Sequence, residues 1–287
     1  MNDIFNIEKK YNNVFVINWY YTDKCNQNCK YCPLVFKNQK TYNKIIKYFL
    51  LKEFKKRDYY YIFEIEGGEP TLDDSIFELP NFFKDIKNQF ILHTNFLNSS
   101  SKLKLYKKFS EKNKIIISIN LTLYILKIKS NNYILDYLKN IRYLNNNNVE
   151  INIIIDTISR KHWEIYLYLI EFFKKNNIKY FSNFAEDFSQ VNKLVLANHD
   201  NESYFNFAKE IKYCRLKYNY FNYRCYRKFL RVKCFDLFIE DCSHNYQKDI
   251  YTFKISDFDK PILCKNNICG IDNFQLTFKK KKVSNDN

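Results

Sequence analysis

Short, near-continuous apolar runs alternate with longer segments in which apolar residues recur every third or fourth position through the first two thirds of the chain. Residues 14–19, 60–65, 90–93, 115–119 and 149–155 have strand length and are rich in β-branched and aromatic residues, as expected for strands covered on their faces. Between them, residues 42–56 place Ile45, Ile46, Phe49 and Leu50 on one helical face. Residues 76–88, 101–112, 132–144 and 162–175 repeat the amphipathic pattern, and 178–181 is a further short strand. The polar run at 145–148 reads as a helix-to-strand loop.

Such alternation implies right-handed crossovers between parallel strands, so the expected fold class is α/β, an open or closed parallel barrel. Ligands then gather at the carboxyl ends of the strands. Beyond about residue 183 the rhythm changes, and Cys214, Cys225, Cys234, Cys242, Cys264 and Cys269 follow. Residues 1–183 are therefore expected to form the barrel and residues 184–287 a smaller cysteine-rich α+β module. Residues 229–232 and 235–239 read as a hairpin within that module, and 279–287 as a charged, frayed tail.

Aromatic residues make up 19% of the sequence while glycine occurs only 3 times and proline 4 times, which excludes a disordered or fibrous chain. The formal charge is +16, which raises nucleic acid or an anionic metabolite as partners. Lysine is scattered through every segment beside Asn, Ile and Tyr rather than focused in a patch, so nucleic-acid binding is not favoured. Residues 1–13 lack the apolar stretch of a signal peptide and no run has the length of a membrane span, so a cytoplasmic, non-membrane location is expected. Nine cysteines in a reducing compartment point to metal or redox chemistry rather than disulfides.

Cys25, Cys29 and Cys32 lie within one short segment after the first strand. Soft thiolates select zinc or iron–sulfur clusters. Structural zinc normally closes four ligands, whereas three thiolates on a four-iron cube leave one iron open to an exogenous ligand. The spacing, the aromatic Tyr31 before the last cysteine and the preceding Thr22, Asp23 and Lys24 resemble the signature of the radical S-adenosylmethionine (SAM) superfamily. The resemblance implies a partial parallel (β/α)6 barrel and a 4Fe-4S cluster on Cys25, Cys29 and Cys32. It also implies SAM chelated at the open iron, with Tyr31 beside the adenine.

Further segments agree in order and spacing. Gly67 and Gly68 stand together in Glu66-Gly67-Gly68-Glu69-Pro70 directly after the second strand. In so glycine-poor a chain, the pair is expected to serve either a close backbone approach to a ligand or a positive φ. The segment resembles the family's GGEP motif, which implies contacts from Gly67, Gly68, Glu69 and Pro70 to the SAM amino group. His93-Thr94-Asn95-Phe96 is similar to the family's Thr-Asn-Gly, with Phe96 in place of glycine, and implies a cofactor role for Asn95. Ser118-Ile119-Asn120 is similar to a Ser-x-Asp near the SAM ribose or the substrate, with Asn120 in place of the carboxylate. None of the four histidines is assigned to catalysis.

The later cysteines, in the order Cys225, Cys242, Cys264, Cys269 around a hairpin, resemble the twitch or SPASM modules of radical SAM enzymes. That implies a second 4Fe-4S cluster on those four, with Cys214 and Cys234 competing for a place. The glycine those modules carry before their second cysteine is missing here, and a structural zinc site is the other reading of the same thiolates. The whole implies reductive cleavage of SAM to a 5'-deoxyadenosyl radical and hydrogen abstraction from a substrate carbon. The implied partners are an electron donor such as flavodoxin or ferredoxin and a peptide or small-metabolite substrate. No separate leader-peptide-binding domain is expected ahead of Val14, so a peptide is not preferred over a small metabolite, although a supplied recognition protein could compensate. The non-enzymatic alternative is a zinc-stabilised basic module that binds nucleic acid.

Overall fold

The computed structural model describes residues 13–27, 40–97, 99–113, 115–122, 131–156, 162–182, 223–225, 228–240, 247–259, 262–263 and 281–282. Its frame is a run of parallel strands alternating with helical segments: β1 (Val14–Thr22), α1 (Asn43–Phe54), β2 (Tyr60–Gly67), α2 (Leu79–Phe82), β3 (Asn88–Thr94), α3 (Ser99–Asn113), β4 (Ile116–Thr122), α4 (Asn131–Asn146), β5 (Ile151–Asp156), α5 (Trp163–Lys175) and β6 (Tyr180–Ser182). Three short strands, β7 (Tyr223–Cys225), β11 (Ile262–Leu263) and β12 (Lys281–Lys282), form a separate small sheet.

β8 (Lys228–Lys233), β9 (Phe238–Glu240) and β10 (Gln247–Asp249) complete the main sheet, whose order is β10-β9-β8-β1-β2-β3-β4-β5-β6. β1 to β6 are mutually parallel, β8 runs parallel to β1, and β8–β9–β10 is an antiparallel meander. The hairpin expected near residue 230 therefore forms and extends the barrel sheet beyond β1. Residues on both sides of residue 183 share one sheet, which is open and mostly parallel, as the α/β reading required.

The period of two along each strand separates the faces. Phe15, Ile17, Trp19 and Tyr21 of β1 join Tyr61, Phe63, Phe90 and Leu92 under the helices in a large aromatic core. Within it, Phe54 stacks on Tyr61 at 4.4 Å and Phe63 on Phe90 at 4.8 Å between ring centroids. The opposite, inner face is apolar only at the bottom, where Val16, Ile62, Ile91, Ile116 and Phe229 form a small second cluster.

One expected element is replaced. The helix read over 76–88 is a 3-10 turn at Asp74–Glu78 followed by the single helical turn α2. Asp73 Oδ1 caps Ser75 N at 3.0 Å, Pro80 sits at the start of α2, and Asn88 Nδ2 closes onto the carbonyls of Phe83 (2.7 Å) and Ile86 (2.9 Å). Side-chain caps at both ends offer the backbone partners that a longer helix would have supplied. β1 also runs to Thr22, past its expected end, because Tyr20, Tyr21 and Thr22 all suit a pleated strand.

The scarcity of glycine has a structural answer. Asn148 (φ 58°) and Asn177 (φ 52°) follow α4 and α5 in the left-handed region, where glycine most often ends a helix. Val149 N then bonds Leu144 O at 3.1 Å, and Ile178 N bonds Phe173 O at 2.9 Å.

Candidate active site

The carboxyl ends of β1, β2 and β3 are laced together by backbone and buried side chains. Tyr20 pairs with Glu66 and Thr22 with Gly67, so the register slips between them and bends β1 just before the first cysteine. Gly68 N donates to Thr22 O at 2.7 Å and Glu69 N to Lys24 O at 2.6 Å, so residues 22–24 run alongside 67–69. Gly67 has φ +125°, and a Cβ there would lie 2.4 Å from Thr22 O. A Cβ on Gly68 would lie 2.1 Å from Lys24 O. The positive φ belongs to Gly67, whereas the close approach at Gly68, expected to be to a ligand, is to the backbone of the chain's own cysteine loop.

Glu69 ties this junction to β3. Its carboxylate accepts from Thr71 N (3.1 Å), Thr94 Oγ1 (2.8 Å), Asn95 N (2.6 Å) and the Thr71 hydroxyl, and it is 1% exposed. Burial pushes its pKa above the usual carboxylate value, against the pull of those donors. With its oxygens so engaged, Glu69 acts as a bracket, while Gly67 and Gly68 remain partly exposed.

Asn95 reaches from β3 to the cysteine loop. Its Nδ2 donates to Asn26 Oδ1 at 2.6 Å and lies 3.9 Å from Cys25 Sγ, which also accepts from Gln27 N at 3.4 Å. Phe96, which follows, is 1% exposed and has φ 59°, the conformation a glycine would adopt without strain. A bulky residue there costs about 1–2 kcal/mol. Packing of its ring on Tyr106 (5.2 Å) and Tyr137 (5.8 Å) offsets that cost.

Above the small apolar cluster the inner wall is polar. In register, Asn18 neighbours Arg231 on one side and Glu64 on the other, Tyr20 neighbours Lys233 and Glu66, and Ser118 lies between His93 and Asn152. Tyr20 and Asn18 hydrogen-bond the Glu66 carboxyl, whose pKa burial raises, and Arg231 partly counters that rise. Glu240 takes Lys233 at 3.1 Å and Arg231 at 3.6 Å. The Oδ1 atoms of Asn18, Asn120 and Asn152 are buried with no hydrogen-bond partner among the described residues. Buried acceptors in that state fit a ligand rich in hydroxyl and amine donors.

His93 belongs to this wall, and burial lowers its pKa to about 4. The unfolded chain takes up a proton near pH 6.5 and the folded chain only near pH 4. Stability should therefore fall as pH drops through that window, by up to about 3 kcal/mol. Urea midpoints of wild type and His93→Gln measured between pH 7 and 4 check this: the variant should lose much of the dependence, and equal slopes would exclude His93 as its source.

Of the residues singled out from sequence, the fold gathers Cys25, Gly67, Gly68, Glu69, Pro70 and Asn95 at one strand-end junction. Ser118 and Asn120 lie on the inner wall of β4. Cys29, Tyr31, Cys32, Cys214, Cys242, Cys264 and Cys269 lie outside the described residues, and for Cys225 only its backbone place in β7 is described. Among the described residues no group of three or more potential ligands lies close enough to hold a metal. Cys234 is a core thiol: it is fully buried, its N–H bonds Tyr20 O at 2.7 Å, its carbonyl accepts from Tyr42 N at 2.6 Å, and burial beside Asp23 raises its pKa to about 12. The sequence reading missed Asn18, Tyr20, Glu66, Asn152, Arg231, Lys233 and Glu240. Their signal was a polar residue at every second position within otherwise apolar strands. No helix among the described residues is long and apolar enough to cross a membrane.

No protein-family model and no curated protein matches the chain. Solved structures do. Native anSMEcpe with bound AdoMet aligns with a TM-score of 0.58 and 16% identity over 85% of this chain and 80% of that chain. The same protein with bound AdoMet and Cp18Cys peptide gives 0.58 and 15% over 86% and 80%. Streptococcus suis SuiB bound to precursor peptide SuiA gives 0.57 and 16% over 89% and 67%. At these identities the likeness is one of fold: the chain shares the open, mostly parallel α/β architecture of these solved structures.

Proposed function

We propose that the chain is a radical SAM enzyme in which Cys25, Cys29 and Cys32 hold a 4Fe-4S cluster and the barrel's inner wall receives SAM and a peptide substrate. The carrying observation is the junction at the ends of β1, β2 and β3, where the paired glycines, Glu69 and Asn95 set the backbone and the Sγ of Cys25. When bound, the cluster and SAM supply an electron and a 5'-deoxyadenosyl radical that removes hydrogen from a substrate carbon. The described residues fit both groups. Cys25 Sγ accepts two N–H donors, an arrangement that favours a thiolate ligand, and the partnerless Oδ1 of Asn120 offers an acceptor to a ribose hydroxyl.

The chain's own residues do the positioning. Gly67 and Gly68 would offer partly exposed carbonyls to the methionine moiety, the Cα of Gly68 being set against the cysteine loop, while Glu69 ties the end of β2 to β3. The inner-wall residues from Asn18 to Glu240 keep the substrate side of the barrel polar. The family resemblance would put Tyr31, which lies outside the described residues, by the adenine, and Pro70 turns the chain into the 3-10 segment Pro70–Leu72. A second cluster on Cys225, Cys242, Cys264 and Cys269 would complete the twitch-like module, with flavodoxin or ferredoxin as electron donor. A peptide is favoured over a small metabolite because anSMEcpe and SuiB have both been captured with peptides.

Anaerobic reconstitution with iron and sulfide, then dithionite and SAM, tests the reading. The expected products are 5'-deoxyadenosine and methionine in equal amounts. Stoichiometric zinc with no iron–sulfide chromophore would instead favour the zinc-stabilised module.

A further inference from the structure

We infer that Asn95 is a positioning residue for the cluster: its side-chain amide fixes Cys25 and donates an N–H···S hydrogen bond that raises the cluster's reduction potential. The inference rests on the cluster assignment above, and its basis is that every polar atom of Asn95 is directed. The backbone N–H donates to Glu69 Oε2 at 2.6 Å and the backbone carbonyl accepts from Tyr137 OH at 3.0 Å. Oδ1 accepts from Leu97 N at 3.0 Å. Only the amide NH2 remains, and its two hydrogens face the cysteine loop, toward Asn26 Oδ1 at 2.6 Å and Cys25 Sγ at 3.9 Å.

Three of these contacts anchor Asn95 to the barrel, through Glu69 just after β2, through α4 and through its own turn, so it is the fixed member and the loop is what it holds. The strained turn at Phe96 supports this. Asn148 and Asn177 adopt positive φ where helices end, but Phe96 does so in the core immediately after Asn95. Strain of that kind persists where the surrounding structure over-determines a functional conformation. With the backbone amide of Gln27 on the same sulfur at 3.4 Å, Cys25 Sγ is approached by two donors. Hydrogen bonds to ligand sulfur stabilise the more electron-rich, reduced cluster and so raise its potential.

The test uses the full chain, reconstituted, with Asn95→Ser and Asn95→Asp. Serine is neutral and too short to reach the loop. Aspartate keeps an acceptor for Leu97 N but has no N–H and adds negative charge. Both variants should show a more negative midpoint than wild type in a potentiometric titration followed by electron paramagnetic resonance, with aspartate the lower. Loss of the cluster from a variant whose circular dichroism is unchanged would also support the positioning role. A wild-type midpoint in both, at full iron and sulfide content, would overturn it. A wild-type protein that binds no iron–sulfide cluster would instead defeat the functional reading, before any variant is made.

Discussion

Replacing Cys25, Cys29 and Cys32 together with Ala is expected to reduce 5'-deoxyadenosine formation to the uncatalysed background while leaving the barrel folded. The core that holds the described sheet together is aromatic and aliphatic, and Cys25 lies outside it in a half-exposed loop. Removing the Cys25 thiol there deletes a ligand rather than core packing, and the unfolding free energy of the metal-free triple variant should change by less than about 0.5 kcal/mol. Liquid chromatography of the anaerobic, dithionite-reduced reaction reads the first effect and denaturant titration the second. Unchanged 5'-deoxyadenosine would sink the cluster assignment. Iron that remains in the triple variant reports on the C-terminal cysteines: residual four-iron signals in Mössbauer spectra support a second cluster, while stoichiometric zinc rejects it and leaves the first site standing.

Gly68→Val should cost about 3 kcal/mol in stability and also empty the cluster site. The added Cβ would meet the carbonyl carbon of Lys24 at 2.6 Å as well as its oxygen, and backbone atoms cannot swing aside as a flexible side chain would. The strand-like pairing of 22–24 with 67–69 must open, breaking the bonds from Gly68 N to Thr22 O and from Glu69 N to Lys24 O. Because Cys25 is the next residue, that displacement also moves the first thiolate. Denaturant midpoint and iron content should therefore fall together. A variant of wild-type stability that merely binds SAM weakly, by calorimetry, would show that the glycine faces the ligand and not the loop.

Much of the fold was legible because its cause is local. A parallel strand buried on both faces must be nearly continuous in apolar residues, and a helix on its flank must repeat every third or fourth position, so β1 to β5 and α1, α3, α4 and α5 follow from periodicity. The segment 76–88 misled because its apolar spacing suits a helix. Its conformation was decided instead by Asp73, Pro80 and Asn88, which cap and turn the backbone one short piece at a time.

The clustering of Cys25, the glycine pair and Asn95 was legible only as order along the chain, because motifs after successive parallel strands must fall at the same end of a barrel. What each residue does there came from contacts that no local pattern encodes. Asn95 touches Asn26 across 69 positions of sequence, and Gly68 is required by Lys24, a neighbour only once β1 and β2 are paired. The same holds for β8, whose Arg231 and Lys233 take their place only from the strand beside them. Pairing with β1 brings Arg231 beside Asn18 and Lys233 beside Tyr20 on the inner wall. Hydrophobic periodicity records which side of an element faces the core; it carries no record of which distant backbone will lie within 3 Å, since sheet register and barrel curvature arise only when the strands assemble.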